Sequence, residues 1–210
     1  MIFLKNVKKA NLENLLEISK IINHYEHFIF YGTLLGITRE NGILANDDDI
    51  DFLINIDFKK NVIGTISNLK DFTINKKVSN EYFVQFINSK KKFKTFIDFY
   101  FYVNDKNKDY IIEKHNFFSS INDENKFIYV PKKLIFPVVE SKLFPKVKLP
   151  NKQEELCKFL YGHDWKKPMR KNSSYRMEII NNKPKLIKRS FLGSLTRMIK
   201  EIFVKKFKKS

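Results

Sequence analysis

The sequence predicts an α+β domain in which helices and strands are interspersed along the chain. Residues 8–27 place leucines and isoleucines in a helical rhythm, whereas "HFIFYG" and "TFIDFYFYV" have the apolar and aromatic composition of buried strands. Of the 210 residues 43% are hydrophobic, and they include 21 Phe and 9 Tyr. These side chains are enough to fill the core of one domain.

The first half of the chain alternates the two kinds of element. After the first helix, "HFIFYG" is predicted to be a strand that ends at a glycine turn, and "LLGITRE" a short helix. The strand "IDFLINI" and the helix "FKKNVIGTISNLK" follow, and the strands "EYFVQFI" and "TFIDFYFYV" are joined by the polar turn "NSKKKFK". This order indicates a sheet with helices packed on it.

The second half contains more turns. The stretch "FIYVPKKLIFPVVESKLFPKVKLP" has four prolines, which favour extended edge segments and turns over regular structure. Beyond it, Asn151 is predicted to cap a helix over 152–161, with Glu154 in the first turn and Gly162 just after the last residue.

The positive charge is concentrated near the C-terminus. Residues 183–210 hold ten Lys or Arg against Glu201 alone, or +9 of the net charge of +17, and their apolar residues recur at helical spacing. This predicts a basic amphipathic helix after a catalytic-sized domain over 1–182. The helix would lie on an anionic membrane surface, or it would pack on the domain with a solvated charged face.

The predicted location is cytoplasmic, peripheral on the inner face of the plasma membrane. No run reaches the ~18 apolar residues that span a bilayer, and the first residues lack the apolar region of a secretory signal. The single cysteine, Cys157, has no partner for an internal disulfide and no metal-ligand spacing.

The stretch "NDDDIDF" places four carboxylates in five positions of this basic chain: Asp47, Asp48, Asp49 and Asp51. On a strand, alternate side chains share a face, so that Asp47, Asp49 and Asp51 would project to one side. Like charges at that spacing favour a cation, and hard oxygen ligands suit Mg²⁺ or Mn²⁺. The alternative is a solvated acidic turn.

Two neighbouring motifs favour the metal site. In "YGTLLG", Gly32 allows the backbone to approach a ligand, and Thr33 could offer its hydroxyl and amide to a phosphate oxygen at the start of a helix. In "FIDFY", Asp98 lies in an apolar strand, where an unpaired carboxylate is costly. The alternatives are a plain glycine turn and a core Asp that is capped or paired with a lysine.

A glycine turn, a strand with alternating aspartates and a third carboxylate on a later strand resemble the polymerase-β-like nucleotidyltransferase superfamily. More narrowly, "YGTLLGITRENGILANDDDIDF", "FIDFY", the proline-rich stretch and "FLYGHDWKKP" resemble the LicD family over roughly residues 28–168. One departure is "ILANDDD", where family members commonly have an aromatic residue or proline. The resemblance implies a nucleotidyltransferase-like mixed β-sheet flanked by helices.

Bacterial LicD proteins are phosphocholine transferases, and eukaryotic relatives include fukutin-type ribitol-phosphate transferases. The resemblance implies a CDP-linked donor, such as CDP-choline or a CDP-polyol, and a sugar hydroxyl of a lipopolysaccharide, teichoic acid or capsule as acceptor. It implies that Asp49 and Asp51 hold Mg²⁺ or Mn²⁺ on the diphosphate. Asp98 would complete the cluster as metal ligand or base, and Asp47 is a further candidate ligand.

Three more residues are candidates for catalysis or donor binding. Arg39 could bind phosphate in a bidentate way and help to stabilise transition-state charge as a catalytic residue, or it is an exposed arginine without a role. His163 and Trp165 of "YGHDW" could line the donor site by stacking and hydrogen bonding, or they pack at the end of a helix.

Other functions remain open on the sequence. A nucleotidyltransferase moving NMP onto a small molecule or RNA fits the same acidic residues. A glycosyltransferase using Asp49 and Asp51 would leave Asp98 unexplained. A basic nucleic-acid-binding protein would track phosphates with lysines and stack bases on aromatic rings, but it leaves the acidic cluster without a role, so that nucleic acid is not the expected partner.

Overall fold

The structure is a computed structural model that describes residues 2–45, 47–89, 94–114, 124–168 and 175–188. The helices of this part are, in order, α1 (Ile2–Ile21), α2 (Tyr31–Glu40), α3 (Lys59–Ser67), α4 (Lys132–Ile135) and α5 (Gln153–Tyr161), with short 3-10 turns at Ile56–Phe58 and Glu124–Lys126. Within the described ranges, no helix has the length and apolar character needed to cross a membrane.

The strands alternate with these helices, which confirms the predicted α+β class. They are β1 (His27–Ile29), β2 (Asp49–Asn55), β3 (Phe72–Ile74), β4 (Phe83–Asn88), β5 (Thr95–Val103), β6 (Tyr110–Glu113), β7 (Ile128–Pro131), β8 (Val139–Glu140), β9 (Lys148–Leu149), β10 (Tyr175–Ile180) and β11 (Lys183–Lys188).

One mixed sheet of seven strands organises the fold. Its order is β1-β2-β5-β4-β3, with β6 paired to β5 and β7 paired to β6. The central pair, β2 and β5, is parallel, whereas the other neighbouring pairs are antiparallel. Strands β8 and β9 form one separate hairpin, and β10 and β11 form another.

The two central strands are held by apolar packing on one face of the sheet. The rings of Phe52 and Phe99 stack at 5.6 Å between centroids, and Phe86 meets Phe99 edge-on at 5.8 Å. Because side chains alternate along a strand, Asp51 and Asp98 lie on the opposite face. Burial of the aromatic face therefore fixes where these carboxylates point.

Most predicted elements are confirmed. The four strands predicted in the first half are β1, β2, β4 and β5, and the predicted helices are α1, α2 and α3. The first helix already begins at Ile2, and the short strands β3 and β6 were not predicted. Such short strands have too few residues for a periodic pattern, and their existence depends on pairing with β4 and β5.

The glycine turn predicted before α2 is wrong. Helix α2 begins at Tyr31, so that Gly32 lies in its first turn. Phe30 before it is extended, whereas Tyr31 has a left-handed backbone with φ of 36°. The change of direction between strand and helix is therefore made by a tyrosine, which periodicity does not reveal.

The proline-rich stretch forms β7, β8 and β9 as predicted for extended segments, but it also contains α4. Helix α5 confirms the predicted helix over 152–161, and Gly162 follows it with φ of 83°. The predicted cap is wrong: Lys152 occupies the N-cap position without a side-chain hydrogen bond. The backbone N–H of Asn151 donates to the carbonyl of Ile135 at 2.9 Å, which holds Asn151 outside the helix.

The helix predicted from Lys183 onward is wrong for residues 183–188. These residues form β11, which pairs with β10 through a turn at Asn181 and Asn182, whose φ angles are 51° and 58°. Two successive residues of positive φ make a two-residue hairpin turn, and asparagine tolerates that conformation. The predicted domain boundary thus falls inside a hairpin, and residues 189–210 lie outside the described part.

Candidate metal centre

Three aspartates from the two central strands converge on one face of the sheet. Asp49 and Asp51 are two positions apart on β2, and Asp51 is the register partner of Asp98 on β5. One carboxylate oxygen of each lies within 4.8 Å of the other two. Asp51 and Asp98 are each only 4% exposed, and Asp49 is half-buried. The structure therefore brings together the three main predicted ligands.

Asp47 joins a second, overlapping group in the segment before β2. Carboxylate oxygens of Asp47, Asp48 and Asp49 also lie within 4.8 Å of one another; Asp47 is buried and Asp48 exposed. Asn11 on α1 donates from Nδ2 to the carbonyl oxygens of Asp47 at 3.0 Å and Asp49 at 3.3 Å. Helix α1 therefore helps to shape the acidic segment, a role that sequence reasoning missed.

Gly32 is where the start of α2 approaches these carboxylates most closely. A Cβ atom on Gly32 would lie 2.6 Å from Oδ2 of Asp47 and 3.2 Å from Oδ2 of Asp51. Carbon and oxygen atoms do not approach to 2.6 Å without displacement, so that any larger residue at position 32 would shift the Asp47 carboxylate. The atoms that the structure places against Gly32 are side chains of the acidic cluster, and the predicted approach of the backbone to a ligand stays a prediction.

Thr33 holds Asp51 with both its backbone and its side chain. The Thr33 amide donates to Oδ2 of Asp51 at 3.0 Å, and the Asp51 amide donates to the Thr33 hydroxyl oxygen at 2.7 Å. A longer contact of 3.4 Å joins the hydroxyl to the same Oδ2. This differs from the predicted phosphate contact, because both groups of Thr33 are engaged by Asp51. An amide at a helix N-terminus stabilises a carboxylate.

Gln85 on β4 contacts Asp98 from the other side. Its Nε2 donates to Oδ1 of Asp98 at 2.8 Å, and its Oε1 accepts from Nδ2 of Asn75 at 2.7 Å. Sequence reasoning missed both residues, because nothing in "EYFVQFI" shows which residue of β5 each side chain will face. The alternation of side chains along β4 shows that Gln85 shares a face with every second residue, but only the pairing register shows that its partner is Asp98.

Three tyrosines lie near the cluster, and the hydroxyl of Tyr100 contacts it. Tyr100 donates to Oδ1 of Asp51 at 3.4 Å, and Tyr31 donates to Oε2 of the buried Glu113 at 2.9 Å. Burial raises the pKa of Tyr31 well above its ordinary value, with Glu113 adding to the effect, and burial and then Asp51 do the same for the pKa of Tyr100. Burial and Asp51 also raise the pKa of Tyr161. All three hydroxyls are therefore protonated at neutral pH.

The remaining candidates lie farther along α2 and after α5. Arg39 donates to the carbonyl of Trp165 at 3.4 Å and pairs with Glu40 at 2.8 Å. It follows Thr33 by about 9 Å along the helix axis. Trp165 is buried in the core, and His163 is exposed. Among the described residues, Arg39 contacts Trp165 and Glu40 and not the acidic cluster. The same part of the chain shows no contact between His163 and the acidic cluster.

A surface cavity of about 760 Å³ lies at the C-terminal end of α2, away from Gly32 and Thr33. It is lined by residues of the C-terminal half of α2, of the β8–β9 hairpin and of the start of α5. None of the predicted site residues lines it. It is therefore separate from the carboxylates.

The oxygen atoms of the acidic cluster are suited to a divalent cation. The cluster consists of hard oxygen ligands, as Mg²⁺ and Mn²⁺ prefer. The contacts from Thr33, Tyr100 and Gln85 are neutral hydrogen bonds, which orient the carboxylates without cancelling their negative charge. Gly32 leaves the space between Asp47 and Asp51 without a side chain. Asp49, Asp51 and Asp98, with Asp47 beside them, are the residues that would hold the ion.

A known family matches the chain. The model of a family described as LicD/FKTN/FKRP, nucleotidyltransferase domain, matches residues 24–152, which is more than half of the chain. The matched range includes the acidic cluster, Gly32 and Thr33, and it ends before His163 and Trp165. No curated protein matches the chain.

Proposed function

The chain belongs to the LicD family, and on this premise we propose that it transfers phosphocholine or a similar phospho-substituent from a CDP-linked donor to a sugar hydroxyl of a cell-surface glycan. Membership in the family indicates a transferase. The acceptor would be a lipopolysaccharide, a teichoic acid or a capsule. The donor, the acceptor and the need for a metal are the parts that experiments must test.

The observation that carries the proposal is the convergence of Asp49, Asp51 and Asp98 within 4.8 Å. Transfer of a phosphoryl-type group depends more on charge neutralisation and positioning than on covalent catalysis. A bound Mg²⁺ or Mn²⁺ would supply neutralisation of the donor diphosphate. The contacts with Thr33 and Gln85 support the proposal, because they fix the orientation of Asp51 and Asp98 beforehand.

The reaction would form a bond between the acceptor oxygen and the donor phosphorus and would break the bond from that phosphorus to CMP. The proton of the acceptor hydroxyl must leave as the new bond forms. Asp98 would help to activate this hydroxyl, as a ligand of the ion or as the base that takes the proton. Its burial supports the role, because a carboxylate shielded from water interacts more strongly with groups beside it. Arg39 remains a candidate for binding phosphate and stabilising transition-state charge, and His163 and Trp165 remain candidates for donor binding.

The first test is nucleotide release from a panel of CDP-, UDP- and GDP-linked donors and free NTPs, with Mg²⁺ or with EDTA. Asp49→Asn and Asp98→Asn are compared with the wild type, and the exposed Asp109→Asn serves as the control. Metal-dependent CMP release from one CDP donor, lost in Asp49→Asn and Asp98→Asn and retained in the control, supports the proposal.

Other outcomes of this panel contradict the proposal. Pyrophosphate release from an NTP would identify a nucleotidyltransferase instead. A lack of both release and binding for every donor would contradict transfer from a nucleotide-linked donor.

Peripheral binding to the inner face of the plasma membrane is a second part of the proposal. It is supported by the basic residues of the segment 189–210 and by its apolar residues at helical spacing. Deletion should begin at Arg189, because residues 183–188 belong to the β10–β11 hairpin. Binding to phosphatidylglycerol vesicles should be lost on deletion and should weaken with salt. Unchanged binding after deletion would contradict this part.

A further inference from the structure

We propose that Asn75 and Gln85 are positioning residues that fix the orientation of the Asp98 carboxylate for metal binding. Neither residue belongs to the acidic cluster, and sequence reasoning assigned neither a role. The proposal rests on the metal-dependent function proposed above. It identifies the hydrogen bonds by which β4 orients Asp98, one of the proposed metal ligands.

The register of the sheet brings Gln85 to Asp98. These residues are partners in the antiparallel pair of β4 and β5, so that their side chains lie on the same face. The Gln85 Nε2 donates to Oδ1 of Asp98 at 2.8 Å. The terminal torsion of an aspartate has a broad energy minimum, and a hydrogen bond to one oxygen therefore restricts the plane of the carboxylate.

Asn75 determines which end of the Gln85 amide faces Asp98. An amide has a donor end and an acceptor end, and only the donor end is favourable beside a carboxylate. Asn75 donates from Nδ2 to Oε1 of Gln85 at 2.7 Å. The oxygen of Gln85 thus points toward Asn75 and the amino group toward Asp98. The pair acts in series, with Asn75 orienting Gln85 and Gln85 orienting Asp98.

Asn75 is itself held by a ring of hydrogen bonds. The backbone N–H of Asn75 donates to the backbone carbonyl of Gln85 at 2.8 Å, and the backbone carbonyl of Asn75 accepts from the Ser79 hydroxyl at 2.9 Å. The Ser79 hydroxyl oxygen accepts in turn from the backbone N–H of Gln85 at 3.1 Å. The turn between β3 and β4 therefore fixes the position of Asn75 relative to Gln85.

A neutral donor suits this position. Lysine or arginine at position 85 would also donate to Asp98, but its charge would oppose the binding of a cation. Glutamine restrains the carboxylate and leaves its negative charge in the cluster. Outer partners of metal ligands commonly contribute 10–100-fold to metal affinity or activity, and we expect an effect of this size for Gln85.

The decisive variant is Asn75→Asp, which does not touch Asp98. An aspartate at position 75 accepts hydrogen bonds and cannot donate to Oε1 of Gln85. The Gln85 amide is then expected to turn its amino group toward position 75 and its oxygen toward Asp98. We expect the affinity of the full chain for Mn²⁺, measured by electron paramagnetic resonance, to fall about 10-fold or more.

Asn80→Asp is the matched control. It adds the same charge to the same turn, and its Oδ1 can keep accepting from the amide of Tyr82 as Asn80 does at 2.9 Å. It has no hydrogen bond to Gln85. The Mn²⁺ affinity of Asn80→Asp should stay near the wild-type value. Equal affinities of Asn75→Asp and Asn80→Asp would overturn the proposal.

Gln85→Met provides a second variant if Asn75→Asp does not fold, as judged by circular dichroism. It keeps the length of the side chain and removes the donor, so that the same loss of Mn²⁺ affinity is expected. Unchanged affinity would overturn the proposal.

The measurement needs no donor and no acceptor, and it therefore separates two kinds of failure. A wild-type protein that binds no Mn²⁺ would contradict the metal-dependent function and the positioning role together. Binding that is insensitive to Asn75→Asp and Gln85→Met would contradict the positioning role alone.

Discussion

Asp51 of β2 lies directly opposite Asp98 of β5 in the parallel ladder at the centre of the sheet. The two carboxylates face each other because the strands pair in this register, and Asp49 joins them on the same face. The negative charge is therefore concentrated by sheet geometry as much as by the run of aspartates in the sequence. This arrangement makes the following effects of substitution and pH testable.

Asp98→Asn should stabilise the metal-free protein while it abolishes metal-dependent nucleotide release. The substitution removes one of three like charges within 4.8 Å, a repulsion on the order of 1 kcal/mol or more at such distances. The asparagine oxygen can still accept from Gln85. In EDTA, the melting temperature should rise by about 2–4 °C. A fall in melting temperature, with Asp109→Asn unchanged, would contradict the repulsion.

Gly32→Ala should weaken metal binding because its Cβ would lie 2.6 Å from Oδ2 of Asp47. Displacement of Asp47 and Asp51 should lower the Mn²⁺ affinity about 10-fold or more. The control is Gly64→Ala in α3, where a Cβ would meet no atom within 4 Å. That change should leave Mn²⁺ affinity unaltered and should raise the free energy of unfolding by about 0.5–1 kcal/mol, since alanine favours helices over glycine.

Thr33→Val should destabilise the fold, whereas Thr33→Ser should not. Valine has the shape of threonine but cannot accept from the buried Asp51 amide, which donates to the Thr33 hydroxyl at 2.7 Å. Loss of the partner of a buried amide costs about 1–3 kcal/mol. Urea unfolding should show this loss for valine and a smaller one for serine. Equal stability of the two variants would mean that the hydroxyl does not hold β2.

Buried His27 should make the fold less stable as the pH falls from 6.5 toward 4. Burial lowers the pKa of His27 from 6.5 to about 4, and its Nδ1 donates to the Tyr25 carbonyl at 3.0 Å. In this window the unfolded chain binds a proton that the folded chain does not. The free energy of unfolding should therefore fall by about 2 kcal/mol between pH 7 and pH 5.

The contribution of His27 can be separated from that of the carboxylates by subtraction. His27→Asn should lose about 2 kcal/mol less than the wild type between pH 7 and pH 5, because its side chain does not titrate. The exposed His163→Asn should behave like the wild type. Identical pH dependence of His27→Asn and the wild type would show that His27 is not responsible.

The central strands and the acidic cluster could be predicted because their signals are local. An apolar strand interrupted by aspartates is visible in "IDFLINI" and "FIDFY" without any knowledge of pairing. The hydrogen-bond partners of the cluster could not be predicted in this way. Gln85, Asn75 and Asn11 reach the cluster only through strand register and helix packing, and these relations join residues that are distant in the sequence.

The hairpin of β10 and β11 was missed for a different reason. Its second strand, "KPKLIK", has the charge and apolar content of the basic residues that follow, so that composition favoured one continuous helix. The turn at Asn181 and Asn182 is the local signal that separates them. Two adjacent asparagines between short apolar runs carry more information about this region than its charge does.

Tyr31 is a point of local frustration at the acidic cluster. Its φ of 36° is a conformation that glycine adopts freely and that costs other residues about 1–3 kcal/mol. Its ring nevertheless packs 4.9 Å from that of Tyr100, and its hydroxyl binds Glu113. Backbone and side chain thus have opposing preferences. Tyr31→Gly would relieve the backbone strain and lose the ring and hydroxyl contacts, so that backbone stability and the geometry of the site oppose each other at the start of α2.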